Sequence, residues 1–252
     1  MATDTDTTKQ VGTYHFVTES YLVDFQGMVP ISLMLDNYLL YAATEHAETR
    51  GFGYKAMTEK NLTWVLSRID MKIKSYPRMT EAISVQTWVE DVGRLFTTRC
   101  FAMFDKKDEA IAYARSTWAA IDLNTRRPTD LLSMESLQQF VCKGKECPIE
   151  KGKKIPPAED VQGIPYRVRY SDLDVNRHLN SVKYIEHILD LFDIEKFKSQ
   201  KISRFEIVYL AEGKYGMELS LHLKELEPST KYAAAICDSS GKAICRAMVV
   251  WE

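Results

Sequence analysis

Long hydrophobic runs are missing from this 252-residue chain, and so is a strong net charge of either sign. No stretch approaches the ~18 consecutive apolar residues of a membrane-spanning helix, so insertion into a membrane is not expected. The 33 basic and 35 acidic side chains leave a net charge of −2, which provides no general basic field for nucleic acid. The 45% hydrophobic and 27% charged content is typical of a globular protein and excludes disorder.

Cysteine is also scarce, and its number is odd. The five cysteines are Cys100, Cys142, Cys147, Cys237 and Cys245. Such a set argues against a disulfide framework, so we expect reduced, mostly buried thiols. Cys142 and Cys147 have no second pair or histidine nearby, which argues against zinc. The first ten residues are rich in Thr and Asp without an apolar core, which predicts a frayed tail on a cytoplasmic protein.

Familiar catalytic motifs are absent: there is no Gly-x-Ser-x-Gly, no Gly-rich phosphate loop and no His-Glu-x-x-His. What the chain does contain is the same pattern twice. Residues 67–70, Ser-Arg-Ile-Asp, recur as residues 203–206, Ser-Arg-Phe-Glu, at an offset of 136. Further matches that end at Trp118 and Trp251 recur at an offset of 133. Duplicated domains tolerate such loop-length changes, so we interpret the chain as a tandem duplication.

Each copy predicts one buried helix followed by long antiparallel strands. In the first copy an apolar segment lies between Pro30 and Gly51, where a helix would begin and end. In the second copy an apolar stripe predicts a helix over residues 181–192. A long antiparallel sheet wrapped around a central helix, present twice, predicts an α+β fold. The predicted parts are a disordered tail (1–10), an N-terminal unit (11–142), a linker rich in Lys, Gly and Pro (143–160) and a C-terminal unit (161–252).

The most promising reactive side chains lie where the second copy's first strand ends and its helix begins. Asp174, Asn176 and His178 are spaced by two, so an extended backbone would point all three to one side. We expect His178 to act as a general base on water, steadied by Asp174. Asn176 would hold the water or donate to the oxyanion, a task that N–H groups at the helix start could share. This set could hydrolyse an ester without a protein nucleophile.

A structural interpretation of the same segment stays open, because Asp and Asn before a helix are common caps and turn formers. The equivalent stretch of the first copy, residues 24–30, has no His, no Asn and no second Asp. A purely structural turn is expected to survive in both copies, so this asymmetry favours a function.

The sequence over residues 171–185, Ser-Asp-Leu-Asp-Val-Asn-Arg-His-Leu-Asn-Ser-Val-Lys-Tyr-Ile, resembles the helix-entry motif of plant-type acyl-acyl-carrier-protein (ACP) thioesterases. Residues 61–68, 76–77, 85–89 and 125–128 resemble that family's N-terminal half, and the similarity runs from about Tyr14 to Trp251. The resemblance implies a double hot-dog fold, release of fatty acid from acyl-ACP, and no metal or cofactor.

The resemblance also places the family's Asp-x-Asn-x-His triplet on Asp174, Asn176 and His178. Where plant members carry Glu-Cys before a Gly, this chain has Leu-Ala at 210–211, with Glu212 and a Gly adjoining. A cysteine nucleophile is therefore lacking at that place, which favours the water mechanism. Glu212 supplies the carboxylate if the strand carries a one-residue bulge, and otherwise it is a solvated hairpin residue.

The partner that the resemblance implies is an acyl-carrier protein with a phosphopantetheine-linked chain. The acyl chain would lie in the N-terminal unit, where the candidates, each either lining or ordinary core, are Met28, Met34, Leu35, Trp64 and Met71. Because carrier proteins are acidic, we expect a basic docking surface. Its candidates are Arg126, Arg127, Lys143, Lys145, Lys151, Lys153 and Lys154. A charge run in a linker is more often simply solvated, so that alternative stays open. A monomer and a homodimer are equally compatible with the sequence.

Other functions remain as alternatives at this point. They are an acyl-coenzyme A thioesterase, another hot-dog enzyme such as a dehydratase, and a non-catalytic acyl-binding module. A dehydratase would use His and a carboxylate and would not obviously need Asn176. A DNA-binding regulator would need a reading element and a basic face, and no segment is left over for either.

Overall fold

The computed structural model describes residues 10–252, so nearly all of the predicted tail lies outside the described residues. The chain divides into two compact units. Unit 1 comprises the described part of Met1–Ser67 together with Met71–Lys151, and unit 2 comprises Arg68–Asp70 and Gly152–Glu252. The division falls inside the segment that was predicted to join the two copies.

Unit 1 contains a five-stranded sheet in the order β1-β3-β4-β5-β2. Antiparallel ladders join β1 to β3, β3 to β4 and β4 to β5. The strands are β1 (Val11–Val17), β2 (Leu62–Ile73), β3 (Ala82–Val92), β4 (Thr97–Phe104) and β5 (Ala110–Asp122). They are the long antiparallel strands that the sequence predicted for this copy.

The main helix of unit 1 runs through three successive segments. They are α1 (Ile31–Leu33), a π-helical segment (Met34–Leu40) and α2 (Tyr41–Glu48). The helix begins directly after Pro30 and ends before Gly51, whose φ of +75° suits a residue without a Cβ atom. Both predicted limits are therefore confirmed. Contacts of α2 with β1 and β3 place the helix against the sheet, and two short helices complete the unit: α3 (Tyr54–Glu59) and α4 (Glu135–Gln139).

Unit 2 repeats this arrangement with the strand order β7-β10-β9-β8-β6. The strands are β6 (Ile164–Arg167), β7 (Ile202–Tyr209), β8 (Glu218–Glu227), β9 (Lys231–Asp238) and β10 (Ala243–Trp251). Helix α5 (Ser181–Leu189) contacts β8 and β9, and α6 (Ile194–Ser199) follows it. The predicted α+β double hot-dog, one long antiparallel sheet and one central helix per unit, is thus confirmed. Within residues 10–252, no helix is both long and apolar enough to cross a bilayer.

The segment predicted as a linker is partly buried, which differs from the solvated chain that its composition indicated. A strap, residues 142–149, covers one face of the unit 1 sheet. The strap and the sheet share one apolar cluster. The strap contributes Cys142, Cys147 and Ile149, and the sheet contributes Trp88, Cys100 and Ala102. The ammonium group of Lys145 lies 4.8 Å from the ring centroid of Trp88 and donates to the side chain of Gln86. All five cysteines are free and buried, as expected.

The approach of α3 to α2 gives a test of packing in unit 1. A Cβ atom at Gly53 would lie 2.5 Å from the backbone nitrogen of Glu48, whereas at Gly144 it would meet no described atom within 4 Å. We expect Gly53→Ala to lower the free energy of unfolding by about 1–3 kcal/mol through overpacking. Gly144→Ala should change it by less than ~0.5 kcal/mol. Urea unfolding measures both values, and equal stabilities would contradict the packing.

Candidate active site

Residues 174–178 form a tight turn and not the extended segment that we predicted from the spacing by two. The N–H of Asp174 donates to the carbonyl of His178 at 2.8 Å, and Arg177 adopts a φ of +64°. The turn forms because Asp174 Oδ1 accepts hydrogen bonds from the backbone N–H groups of Asn176 (2.8 Å) and His178 (2.9 Å). The prediction of an extended backbone is therefore wrong, and this carboxylate oxygen binds the backbone of the turn.

Unit 1 contains the same turn at an offset of 150 residues. Asp24 Oδ1 accepts from the backbone N–H groups of Gln26 (2.8 Å) and Met28 (3.0 Å), and Gly27 adopts a φ of +71°. The turn has therefore survived in both copies, so the asymmetry does not mark the whole segment as functional. The difference between the two copies lies in two side chains. Unit 1 has Gln26 where unit 2 has Asn176, and Met28 where unit 2 has His178.

A carboxylate approaches His178 from a second loop. At the end of β7 the N–H groups of Leu210 and Ala211 both donate to the carbonyl of Ile244, at 2.8 and 3.0 Å. Two successive donors on one acceptor indicate a β-bulge, the condition under which Glu212 was expected to face the site. Glu212 Oε2 lies 3.3 Å from His178 Nε2, with the two side chains 38% and 23% exposed.

The corresponding loop of unit 1 has the same bulge but different chemistry. There the N–H groups of Lys74 and Ser75 both donate to the carbonyl of Ile111, at 2.8 and 3.2 Å. The next residue, which corresponds to Glu212, is Tyr76. The fold alone therefore does not require a carboxylate at this position.

Tyr184, on α5, holds the loop that carries Glu212. Its buried hydroxyl accepts from the N–H of Gly213 (2.8 Å) and donates to the carbonyl of Ala211 (3.2 Å). Burial raises the pKa of Tyr184 above its usual range, so the hydroxyl keeps its proton and can donate. The sequence analysis missed this residue. A tyrosine on the buried face of a predicted helix was the available signal, because a buried phenol needs a hydrogen-bond partner.

The N–H groups at the start of α5 are less available to an oxyanion than we expected. The side chain of Asn180 accepts from the N–H of Val182 at 3.0 Å, and the carbonyl of Asn180 accepts from Lys183 at 2.9 Å. Both donors are used by the helix cap. The exposed amide of Asn176 is the better candidate for that task.

A buried acidic residue fixes the segment before the turn. Asp172 Oδ2 accepts from the hydroxyl of Tyr166 (2.6 Å) and the N–H of Arg169 (2.7 Å), and Oδ1 lies 3.4 Å from His187 Nε2. Although burial raises the pKa of Asp172, the hydrogen bond from Tyr166 and that from Arg169 bring it below its usual value. The cluster joins β6 and α5 to the entrance of the turn.

The residues expected to line an acyl tunnel are packed in unit 1. Four of the five are buried, and Trp64 is partly buried with its indole N–H donating to the carbonyl of Phe52 at 2.8 Å. None of them lines the cavity of about 910 Å³ in this unit. The walls of that cavity include Phe16, Leu22, Tyr38 and Ile83. Within residues 10–252 the buried hydroxyl of Tyr38 has no hydrogen-bond partner.

The clamp made by Tyr184 can be tested with a neighbouring tyrosine as the matched control. We expect Tyr184→Phe to lower the free energy of unfolding by about 1–3 kcal/mol, because it leaves the buried N–H of Gly213 without its acceptor. Amide exchange at Gly213 should accelerate with it. Tyr209→Phe removes a hydrogen bond of 2.9 Å to Ser181 and should leave exchange at Gly213 unchanged. Similar exchange in both variants would show that Tyr184 does not hold this loop.

Curated proteins with similar sequences include chloroplastic enzymes of plants. The chain is 28% identical over 211 residues to palmitoyl-acyl carrier protein thioesterase of Arabidopsis thaliana. This match covers 79% of this chain and 51% of the relative. It is 27% identical over 259 residues to dodecanoyl-[acyl-carrier-protein] hydrolase of Cinnamomum camphora, covering 94% and 66%. The chain thus spans about half to two thirds of the length of these curated relatives.

Solved structures match over the whole fold. An acyl-ACP thioesterase from Bacteroides thetaiotaomicron is 43% identical with a TM-score of 0.90, covering 96% of this chain and 98% of that one. The 12:0-ACP thioesterase from Umbellularia californica is 24% identical with a TM-score of 0.83, which shows a shared fold. The family models described as acyl-ACP thioesterase N-terminal domain and C-terminal domain match residues 9–136 and 156–252. The chain belongs to the acyl-ACP thioesterase family.

Proposed function

We propose that this protein hydrolyses the thioester of a fatty acyl-acyl-carrier protein and releases the free fatty acid. The observation that carries the proposal is the 3.3 Å approach of His178 and Glu212 beside Asn176 in unit 2. The same backbone frame in unit 1 presents Met28 and Tyr76, which supply neither a base nor a carboxylate. Family membership supports the thioester as the substrate class, since the relatives named above act on acyl-ACP.

In the proposed mechanism a water molecule is the nucleophile. With Nε2–H of His178 donated to Glu212, the lone pair on Nδ1 is free to take a proton from this water. The water oxygen then bonds to the thioester carbon, and the amide of Asn176 donates to the oxyanion that forms. The C–S bond breaks as the oxyanion collapses, and the proton held by His178 passes to the leaving thiolate. The products are a fatty acid and the carrier thiol.

Two carboxylates have separate tasks in this proposal. Glu212 faces the imidazole and stabilises the imidazolium that forms during the reaction. Asp174 acts indirectly, because its Oδ1 atom accepts hydrogen bonds from the backbone N–H groups of Asn176 and His178 and so fixes the turn. We therefore propose Asp174 as a positioning residue, in place of the steadying role expected from the spacing alone.

Substitutions at the site test the proposal directly. We expect His178→Ala, Asn176→Ala and Glu212→Gln each to lower kcat on acyl-ACP by ~10²-fold or more, because each removes an acid–base, oxyanion or charge-stabilising group. Release of the carrier thiol is the measurement. Gln26→Ala, at the equivalent turn position, and Glu227→Gln, at the far end of β8, are matched controls that should keep wild-type rates.

Assays of acyl-ACP and acyl-coenzyme A run side by side separate the proposal from its alternatives. Release of thiol from acyl-coenzyme A alone would show another carrier specificity. Absence of release from every acyl-ACP length would show that the proposed function is wrong. Near wild-type turnover of folded His178→Ala or Asn176→Ala would reject the site.

The acyl chain is proposed to lie in unit 1, as the family resemblance implied. The support is the cavity of about 910 Å³, which falls in the range of ~300–1,000 Å³ usual for small-molecule sites. Its apolar wall includes Phe16, Leu22 and Ile83. The cytoplasmic location stays a prediction.

Filling this cavity tests the placement of the acyl chain. We expect Leu22→Trp to shorten the preferred chain, because the larger side chain occupies space at the wall. Relative kcat/KM on short and long acyl-ACP substrates measures the preference. Leu132→Trp, at an exposed position of unit 1, should leave it unchanged. An unaltered chain-length profile in folded Leu22→Trp would place the chain elsewhere.

A further inference from the structure

Four exposed cations lie on the segments of unit 2 that carry or adjoin the candidate site. Arg167 forms the last pair of the β6–β8 ladder, and Arg169 follows two residues later. Arg177 lies in the turn, next to His178. The backbone of Lys214 forms an isolated bridge with that of His178. We call these four residues, Arg167, Arg169, Arg177 and Lys214, the basic rim.

Large apolar side chains stand exposed among these cations. Tyr170 is 85% exposed, Val175 is 88% exposed and Tyr215 is 68% exposed. Val175 is part of the turn with Asn176, and Tyr215 follows Lys214. Two carboxylates, Glu212 and Glu218, lie among the four cations, so the surface has an excess of positive charge. A surface that combines exposed apolar groups with such an excess is typical of a protein-binding site.

The cations of the basic rim are mostly not neutralised within the unit. Arg167 lies 3.4 Å from Glu218, with both side chains about two thirds exposed or more, so this pair contributes little. Among residues 10–252, Arg169, Arg177 and Lys214 have no carboxylate within ion-pair distance, although Arg169 lies over the ring of Tyr166. The excess positive charge is therefore available to a partner.

The same backbone positions in unit 1 show that the fold does not demand cations there. Val17 ends the β1–β3 ladder as Arg167 ends the β6–β8 ladder. Glu19 precedes the 3₁₀ turn Ser20–Leu22 as Arg169 precedes the 3₁₀ turn Tyr170–Asp172. Gly27 takes the left-handed position of Arg177. Arg78, whose backbone bridges to Met28, is the one residue of the four with the same charge as its counterpart, Lys214. Because Glu19 is negative, the four unit 1 positions have no net charge.

We propose that the basic rim, with Tyr170, Val175 and Tyr215, is the docking surface for the acidic acyl-carrier protein. The proposal rests on the proposed function and deepens it by assigning the partner a place. It differs from the linker lysines that were candidates in the sequence, one of which, Lys145, contacts Trp88 and Gln86. Docking beside His178 also brings the carrier's thioester-bearing arm to the residues that cleave it.

A charge-altered variant assayed on two substrates tests the surface. In Arg167→Gln/Lys214→Glu the rim loses three positive charge units, and we expect kcat/KM on acyl-ACP to fall about tenfold or more at low salt, through KM. On S-acyl-N-acetylcysteamine, a thioester without a carrier protein, its rate should stay within about twofold of wild type. The control Lys151→Gln/Lys154→Glu makes the same charge change at exposed linker lysines and should keep wild-type kinetics on both substrates.

The outcomes separate the docking surface from the function itself. If the rim variant keeps the wild-type kcat/KM on acyl-ACP, or loses the same factor on both substrates, the docking surface is refuted. A loss confined to the linker control would move docking to the linker. If the wild-type protein hydrolyses neither thioester, the proposed function is refuted and the surface loses its basis with it.

Discussion

In both units one carboxylate oxygen accepts two backbone N–H groups and bends the chain back before the central helix begins. Each hydrogen bond to a charged acceptor contributes about 1.5–3 kcal/mol, whereas a left-handed residue other than glycine costs about 1–2 kcal/mol. Two such bonds from Asp174 therefore offset the unfavourable φ of Arg177. In unit 1 the glycine at that position removes the cost altogether. Without this turn, neither Asn176 nor His178 would have a defined direction.

The candidate site is assembled from two loops that only the fold brings together. His178 belongs to the turn, and Glu212 belongs to the bulged connection after β7. The hydroxyl of Tyr184 bonds to both sides of Glu212 along the chain, at Ala211 and Gly213. A Cβ atom at Gly213 would lie 2.9 Å from that of Leu179, so the close approach of the two loops requires a residue without a side chain. Buried groups thus hold the loop that carries Glu212, while the side chains of His178 and Glu212 stay accessible.

Apolar periodicity and the positions of Pro and Gly were enough to predict the main elements of the fold. The duplication, the helix between Pro30 and Gly51 and the long antiparallel strands that follow it were all predicted from the repeat, apolar spacing and breaker residues. The turn at Asp174 could not be read in this way, because a side chain that bonds to its own backbone overrides the strand period. Tyr184 was missed for a related reason. Its bonds reach residues 27 and 29 positions away, and no local pattern reports them.

The strap over the unit 1 sheet lies between the two stretches that the family models match, residues 9–136 and 156–252. Its side chains nevertheless close an apolar face that includes Trp88 and Cys100. A chimera cut at residue 136 would therefore carry an uncovered hydrophobic sheet and associate with itself. The connecting segment is thus part of the core of unit 1, although its composition is typical of a linker.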